Sequence, residues 1–64
     1  MLYLSEILLQ NQDLENFDQL VRLVEAKARG GERFFQMDVR PPFPDTPEGW
    51  EARLEAAFSV ANRT

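Results

Sequence analysis

Three glutamates about one helical turn apart are the residues in this sequence whose types and spacing come nearest to chemistry. Glu48, Glu51 and Glu55 would line one side of a helix, where neighbouring carboxylates can bind a divalent cation or exchange protons. Hard cations usually require more oxygen ligands, held in a closed loop. We therefore interpret the row as a solvated helix face and predict neither a metal site nor a cofactor.

The groups that most often perform catalysis are missing from the composition. The chain has no His and no Cys, which removes the commonest general base, the strongest nucleophile, disulfides, and thiolate or imidazole metal sites. Ser5 and Ser59 have no activating base near them in the sequence. The sequence therefore predicts that the protein is not an enzyme and has no catalytic residues.

All four prolines lie between Arg40 and Pro47. Proline fixes φ and lacks an amide hydrogen, so this stretch can be neither helix interior nor central strand. We interpret residues 41–46 as a stiff connector, with Phe43 tucked over the core. A second interpretation stays open, in which the overlapping P-x-x-P spacing docks as a polyproline II segment into a partner's aromatic groove.

Aromatic residues make up 11% of the chain, and a domain this small cannot bury all of them. Trp50, at the start of an apolar helical stripe, is interpreted first as a core residue. Aromatic residues and arginine are nevertheless enriched at the centres of protein interfaces. The sequence therefore predicts a partner-binding surface made of Phe34, Arg40, Phe43 and Trp50.

A first amphipathic helix is predicted over residues 14–29. Its apolar residues recur at three- and four-residue steps, and either Asp13 or Asn16 can cap its start. Gly30 and Gly31 follow the last turn, where a glycine ends a helix easily. They follow a helix instead of preceding one, so a phosphate-binding loop is not predicted here.

A second amphipathic helix is predicted over residues 47–61, after the connector. Thr46 is a favourable N-cap residue, and Pro47 suits the first helical position because its missing amide hydrogen is not needed there. Glu48 and Glu51 then lie near the positive end of the helix dipole.

A strand is predicted over residues 33–40, in which Phe35, Met37 and Val39 share one face at the dimer interface or in the core. Residues 1–10 can be a helix, in which Leu4, Ile7 and Leu8 share a face, or a strand with two mostly apolar faces, and their Leu and Glu content favours the helix. If they form a helix, the strand at 33–40 must pair with another chain. A two-fold axis at Met37 would then pair two copies, with Phe35 opposite Val39.

The sequence thus predicts one small α+β domain over residues 1–64, with element order α(or β)-α-β-α and a sheet completed across a homodimer. Its net charge of −4 argues against direct nucleic-acid binding, which requires clustered positive charge. No apolar stretch has the length of a membrane span, and no secretory signal precedes the domain, so a cytoplasmic protein is expected.

Two functions are compatible with these features. The first is a small acidic, non-enzymatic protein that dimerises and binds another protein as an accessory subunit, adaptor or inhibitor. The alternative is an acidic mimic of DNA that regulates a nucleic-acid-binding protein, with Asp45 extending the row of Glu48, Glu51 and Glu55.

Overall fold

Three helices and a two-stranded parallel sheet form the fold, which the computed structural model describes for residues 1–63. In chain order the elements are strand β1 (Leu2–Tyr3), helix α1 (Leu4–Gln10), helix α2 (Phe17–Arg29), strand β2 (Phe35–Gln36) and helix α3 (Trp50–Asn62). In the sheet, Leu2 lies opposite Phe35 and Tyr3 lies opposite Gln36. The chain therefore has the mixed α+β architecture that its sequence predicts.

The first ten residues contain both of the elements that the sequence left open. Leu2 donates its amide hydrogen to the carbonyl oxygen of Phe34 at 2.8 Å, which joins β1 to β2. Two residues later the chain enters α1, where Asp38 accepts hydrogen bonds from the amide of Ser5 at 3.1 Å and from its hydroxyl at 2.6 Å. Asp38 thus satisfies a free amide of the first helical turn, a task that is usually left to a local cap residue.

The predicted strand over residues 33–40 is reduced to Phe35–Gln36. The carboxylate of Asp38 is held at the start of α1, and the backbone bends at Val39, so the chain leaves the sheet. Val39 is consequently exposed and does not belong to the core, whereas Phe35 and Met37 are half-buried against it. The strand also has a partner within its own chain, so a second copy is not required to complete a ladder.

Helix α2 begins three residues later than the predicted range of 14–29. Asn16 is the N-cap, and its side-chain oxygen accepts a hydrogen bond from the amide of Gln19 at 2.8 Å. The side chain of Gln19 in turn accepts from the amide of Glu15 at 2.7 Å. The helix ends at Arg29, and Gly31 then adopts φ +106°, a left-handed conformation that favours glycine.

The connector supplies a second, long-range cap to α2. Both carboxylate oxygens of Asp45 accept from the amide of Phe17, at 2.9 and 3.1 Å. A carboxylate at this end of a helix also interacts favourably with the helix dipole. Asp38 and Asp45 therefore fasten the two ends of one segment to the N-terminal turns of two different helices.

The predicted second helix is α3 of the structure. It starts at Trp50 and not at Pro47, so Thr46 is not its N-cap. The hydroxyl of Thr46 donates to the carbonyl of Pro41 at 3.5 Å, and its amide donates to the carbonyl of Phe43 at 3.1 Å. Thr46 closes a turn inside the connector instead. Gly49 occupies the cap position of α3 without a side-chain hydrogen bond.

The core lies between α2, α3 and the first turns of α1. Phe43 and Pro41 of the connector are buried in it, so the segment covers the core as the connector interpretation expects. Among residues 1–63, no helix combines the length and apolar character that crossing a membrane requires. The fully buried aliphatic side chains are those of Leu4, Ile7, Leu20, Val24 and Leu54.

The Asp38 cap makes stability depend on pH. Hydrogen bonds from the hydroxyl and then the amide of Ser5 lower the pKa of Asp38 below its ordinary value. A lowered pKa stabilises the fold above the pKa of an unfolded aspartate, about 3.9, and this contribution disappears as the pH falls through the folded pKa. We expect Asp38→Asn to reduce the free energy of unfolding at neutral pH. The difference in this free energy between the variant and the wild type should narrow below pH about 4.

Urea unfolding of both proteins across the acid range measures this difference. Asp13→Asn is the matched control, because Asp13 is exposed and its side chain has no hydrogen bond among residues 1–63. A loss of stability in Asp38→Asn that stayed constant down to the lowest pH would contradict the assignment.

Candidate protein-binding surface

The four residues of the predicted partner-binding surface do not lie together. Phe43 is only 9% exposed and belongs to the core, and its exposed part lines a separate concavity with Leu8 and Pro42. Trp50 is half-buried and packs against the core at the start of α3. Phe34 is 65% exposed and Arg40 is also exposed, but neither Arg40 nor Trp50 lines the concavities around Phe34.

Phe34 instead lies between two adjoining concavities at one end of the fold. The first, of about 630 Å³, lies where α2 and α3 end, and we call it the Arg29 hollow. The second, of about 550 Å³, runs between β2 and α3, and we call it the β2 groove. Arg33, Phe34 and Asn62 line both. The Arg29 hollow is completed by Ala28, Arg29, Gly31 and Ala61, and the β2 groove by residues 35–37, Glu55, Phe58, Ser59 and Arg63.

A ring contact forms one wall of the β2 groove and holds β2 against α3. The rings of Phe35 and Phe58 stack with centroids 5.3 Å apart and an interplanar angle of 27°. At the end of α3, the side-chain amide of Asn62 donates to the carbonyl oxygens of Glu32 and Ala28. The last turn of α3 therefore lies beside the residues that precede β2, and the helix runs antiparallel to the strand.

The direction of α3 gives the β2 groove two unlike ends. Glu55, Ser59 and Arg63 are spaced four residues apart and share one side of α3. Since Phe58 contacts Phe35, Glu55 lies towards Met37, and Arg63 lies towards Arg33. The groove is therefore acidic at one end and basic at the other.

One edge of β2 is free of strand pairing among residues 1–63. The bond from the Leu2 amide to the Phe34 carbonyl shows which groups face β1. Hydrogen bonds of a strand alternate between its two sides, so the amide and carbonyl of Phe35 point away from β1. Unpaired backbone groups of this kind are a template for another strand.

The charges around Phe34 differ from those of the chain as a whole. The net charge is −4, yet Arg29, Arg33 and Arg63 line the two concavities, and Glu55 is the one carboxylate among the lining residues. Within residues 1–63, neither Arg33, Arg63 nor Glu55 forms an ion pair. These side chains are therefore available to charges outside the chain.

The carboxylates that could suggest other chemistry are exposed to solvent or already hydrogen-bonded within the fold. Glu48, Glu51 and Glu55 are exposed, and residues 1–63 contain no group of three or more metal-binding side chains. The DNA-mimic alternative adds Asp45 to this row. The carboxylate of Asp45 accepts hydrogen bonds from the amide of Phe17.

Sequence reasoning selected Phe34 as a candidate and did not select the arginines that lie around it. Arg29, Arg33 and Arg63 come from three separate segments, and only the fold brings them to one end of the molecule. The preponderance of Arg over Lys was the available signal, because Arg is favoured at interfaces.

Comparison with protein families, with curated proteins and with solved structures found no match for this chain. The surface around Phe34 must therefore be interpreted from its own geometry and charge.

Proposed function

We propose that this chain is a small, non-enzymatic protein that dimerises and binds another protein in the cytoplasm, as an accessory subunit, adaptor or inhibitor. The observation that carries the proposal is the free edge of β2 beside the exposed ring of Phe34. A strand edge attaches a second strand through main-chain hydrogen bonds, while a neighbouring side-chain groove supplies selectivity.

The size of the chain supports an interaction role. A domain of about 60 residues buries only about 60% of its unfolded surface, and small domains are commonly stabilised by disulfides, metals or a partner chain. This chain has no cysteine for a disulfide. Its sheet has only two strands of two residues each, so it depends on packing against α3 for stability.

Phe34 has an exposed ring, so replacing this residue should remove binding without unfolding the protein. We expect Phe34→Ala to bind the proteins that the wild type captures with an affinity that is lower by a factor of about ten or more. Central aromatic residues often contribute about 2 kcal/mol to binding. Quantitative affinity capture from a cell extract, compared between variant and wild type, measures the effect.

Leu9→Ala is the matched control. Leu9 is 70% exposed, close to Phe34 in exposure, but it lies on α1 and lines neither concavity. Thermal unfolding of both variants should stay near that of the wild type. Capture that both substitutions left unchanged, or that both reduced equally, would refute the role of the Phe34 surface.

Salt dependence separates this proposal from the DNA-mimic alternative. Binding that depends on a row of carboxylates should weaken steeply as salt is raised, because charge attraction is screened. Binding through backbone pairing and Phe34 should change little.

A further inference from the structure

We infer that the occupant of the β2 groove is a second copy of this chain, which pairs antiparallel with β2 about a two-fold axis at Phe35. The inference rests on the proposed function, in which the β2 edge is a docking surface, and it specifies the partner and the register. The product would be a continuous four-stranded sheet in the order β1-β2-β2-β1.

The backbone of Phe35 selects the position of the axis. Its amide and carbonyl both face the free edge, and in an antiparallel ladder two residues oriented in this way can exchange two hydrogen bonds with each other. Placing the axis at Phe35 also sets Arg33 of one copy opposite Met37 of the other. Residues 33–37 of one copy therefore pair with residues 33–37 of the other.

The register centred on Met37, which the sequence suggested, is not available to this fold. It would require Val39 to pair with Phe35 of the other copy. The chain bends at Val39, and the neighbouring Asp38 is held by Ser5 of α1. Pairing that extends beyond Met37 would have to break this cap.

The charges of the β2 groove fit a second copy in this orientation. The basic end at Arg33 and the acidic end at Glu55 are separated along the groove. Residues 33–37 span about 13 Å as a strand, and Glu55 to Arg63 span about 12 Å along a helix. A two-fold axis at Phe35 therefore brings Arg33 of each copy to the end that holds Glu55 of the other.

This complementarity is what favours a second copy over an unrelated strand. A two-fold interface uses the same patch on both partners, so the patch must complement itself when it is reversed. A groove with one acidic and one basic end satisfies that condition for an antiparallel copy. An acidic peptide would match only the end that holds Arg33 and Arg63.

Charge reversal tests the inference directly. We expect Arg33→Glu and Glu55→Arg each to weaken the dimer about tenfold, since each removes two symmetry-related ion pairs and creates two like-charge contacts. The double variant should recover to within about threefold of the wild type. The measurement is molar mass by light scattering on a size-exclusion column over a range of concentrations, where the dimer has twice the 7.4 kDa mass of the chain.

Arg53→Glu is the control for net charge, because Arg53 is exposed on α3 and lines neither concavity. Its dimer should match the wild type. A folded wild-type monomer at every concentration would overturn the inference, as would a double variant no stronger than the single ones. A monomer would also remove dimerisation from the proposed function, whereas the binding of another protein would survive either result if Phe34→Ala still lost captured proteins. That binding would fail separately if Phe34→Ala lost none.

Discussion

Leu54→Ala should cost about 2 to 5 kcal/mol of the free energy of unfolding, the range measured for leucine to alanine in protein cores. Leu54 is completely buried in the middle of α3, in the core that α3 forms with α2. A chain of this length is expected to have about 3 to 10 kcal/mol of stability in total. The substitution therefore removes a large part of it, and the unfolding temperature should fall by about 10 °C or more.

Val60→Ala is the comparison that isolates burial from helix propensity. Val60 lies on the same helix but is 62% exposed, so its loss should leave stability within about 0.5 kcal/mol of the wild type. Circular dichroism during heating and in urea measures both variants. Equal, small losses would mean that α3 does not pack against α2 through Leu54, and the β2 groove would then lack its helical wall.

The sequence predicts those elements whose signals are local. The stripe of apolar residues defines α2, and Asn16, one of the two candidate caps, is the N-cap in the structure and accepts a hydrogen bond from the amide of Gln19. Gly31 adopts a left-handed φ after the helix, as a glycine stop signal indicates. Periodicity and capping act within one turn, so they can be recognised without a fold.

The features that sequence reasoning missed depend on residues far apart in the chain. The carboxylate of Asp38 accepts hydrogen bonds from Ser5, 33 residues away. Asp45 accepts from Phe17, 28 residues away. An aspartate in a connector has many possible donors, and only the packed core decides which free helical amide it reaches.

The Asp38 cap and the turn at Thr46 explain why the predicted strand and the predicted second helix were too long. Alternating residues over 33–40 are compatible with a strand, but the cap at Ser5 ends the pairing after Gln36. Thr46 and Pro47 are compatible with a helix start, but Thr46 closes the turn to Phe43. At Asp38 a tertiary hydrogen bond replaced strand pairing, and at Thr46 a turn within the connector replaced the helix start that propensity favours.

The register of the inferred dimer leads to an all-or-none prediction, which uses the absence of native cysteine. With the two-fold axis at Phe35, Phe34 of one copy lies opposite Gln36 of the other. Such a pair, without mutual hydrogen bonds, has Cα atoms about 4.5 Å apart, within the range of about 4.4–6.8 Å that a disulfide requires. A mixture of Phe34→Cys and Gln36→Cys chains should therefore form a cross-linked dimer under mild oxidation.

Each cysteine variant alone tests the competing registers. With the axis at Phe35, identical cysteines are diagonal neighbours about 7–8 Å apart, so neither variant alone should cross-link efficiently. An axis at Gln36 would instead cross-link Gln36→Cys with itself, and an axis at Phe34 would cross-link Phe34→Cys with itself. Gel electrophoresis without reductant distinguishes the three patterns. The same oxidation of chains unfolded in urea measures the rate at which cysteines cross-link at random. Selective cross-linking in the mixture alone identifies the axis at Phe35, because no other antiparallel register of β2 with its own copy places residues 34 and 36 opposite each other.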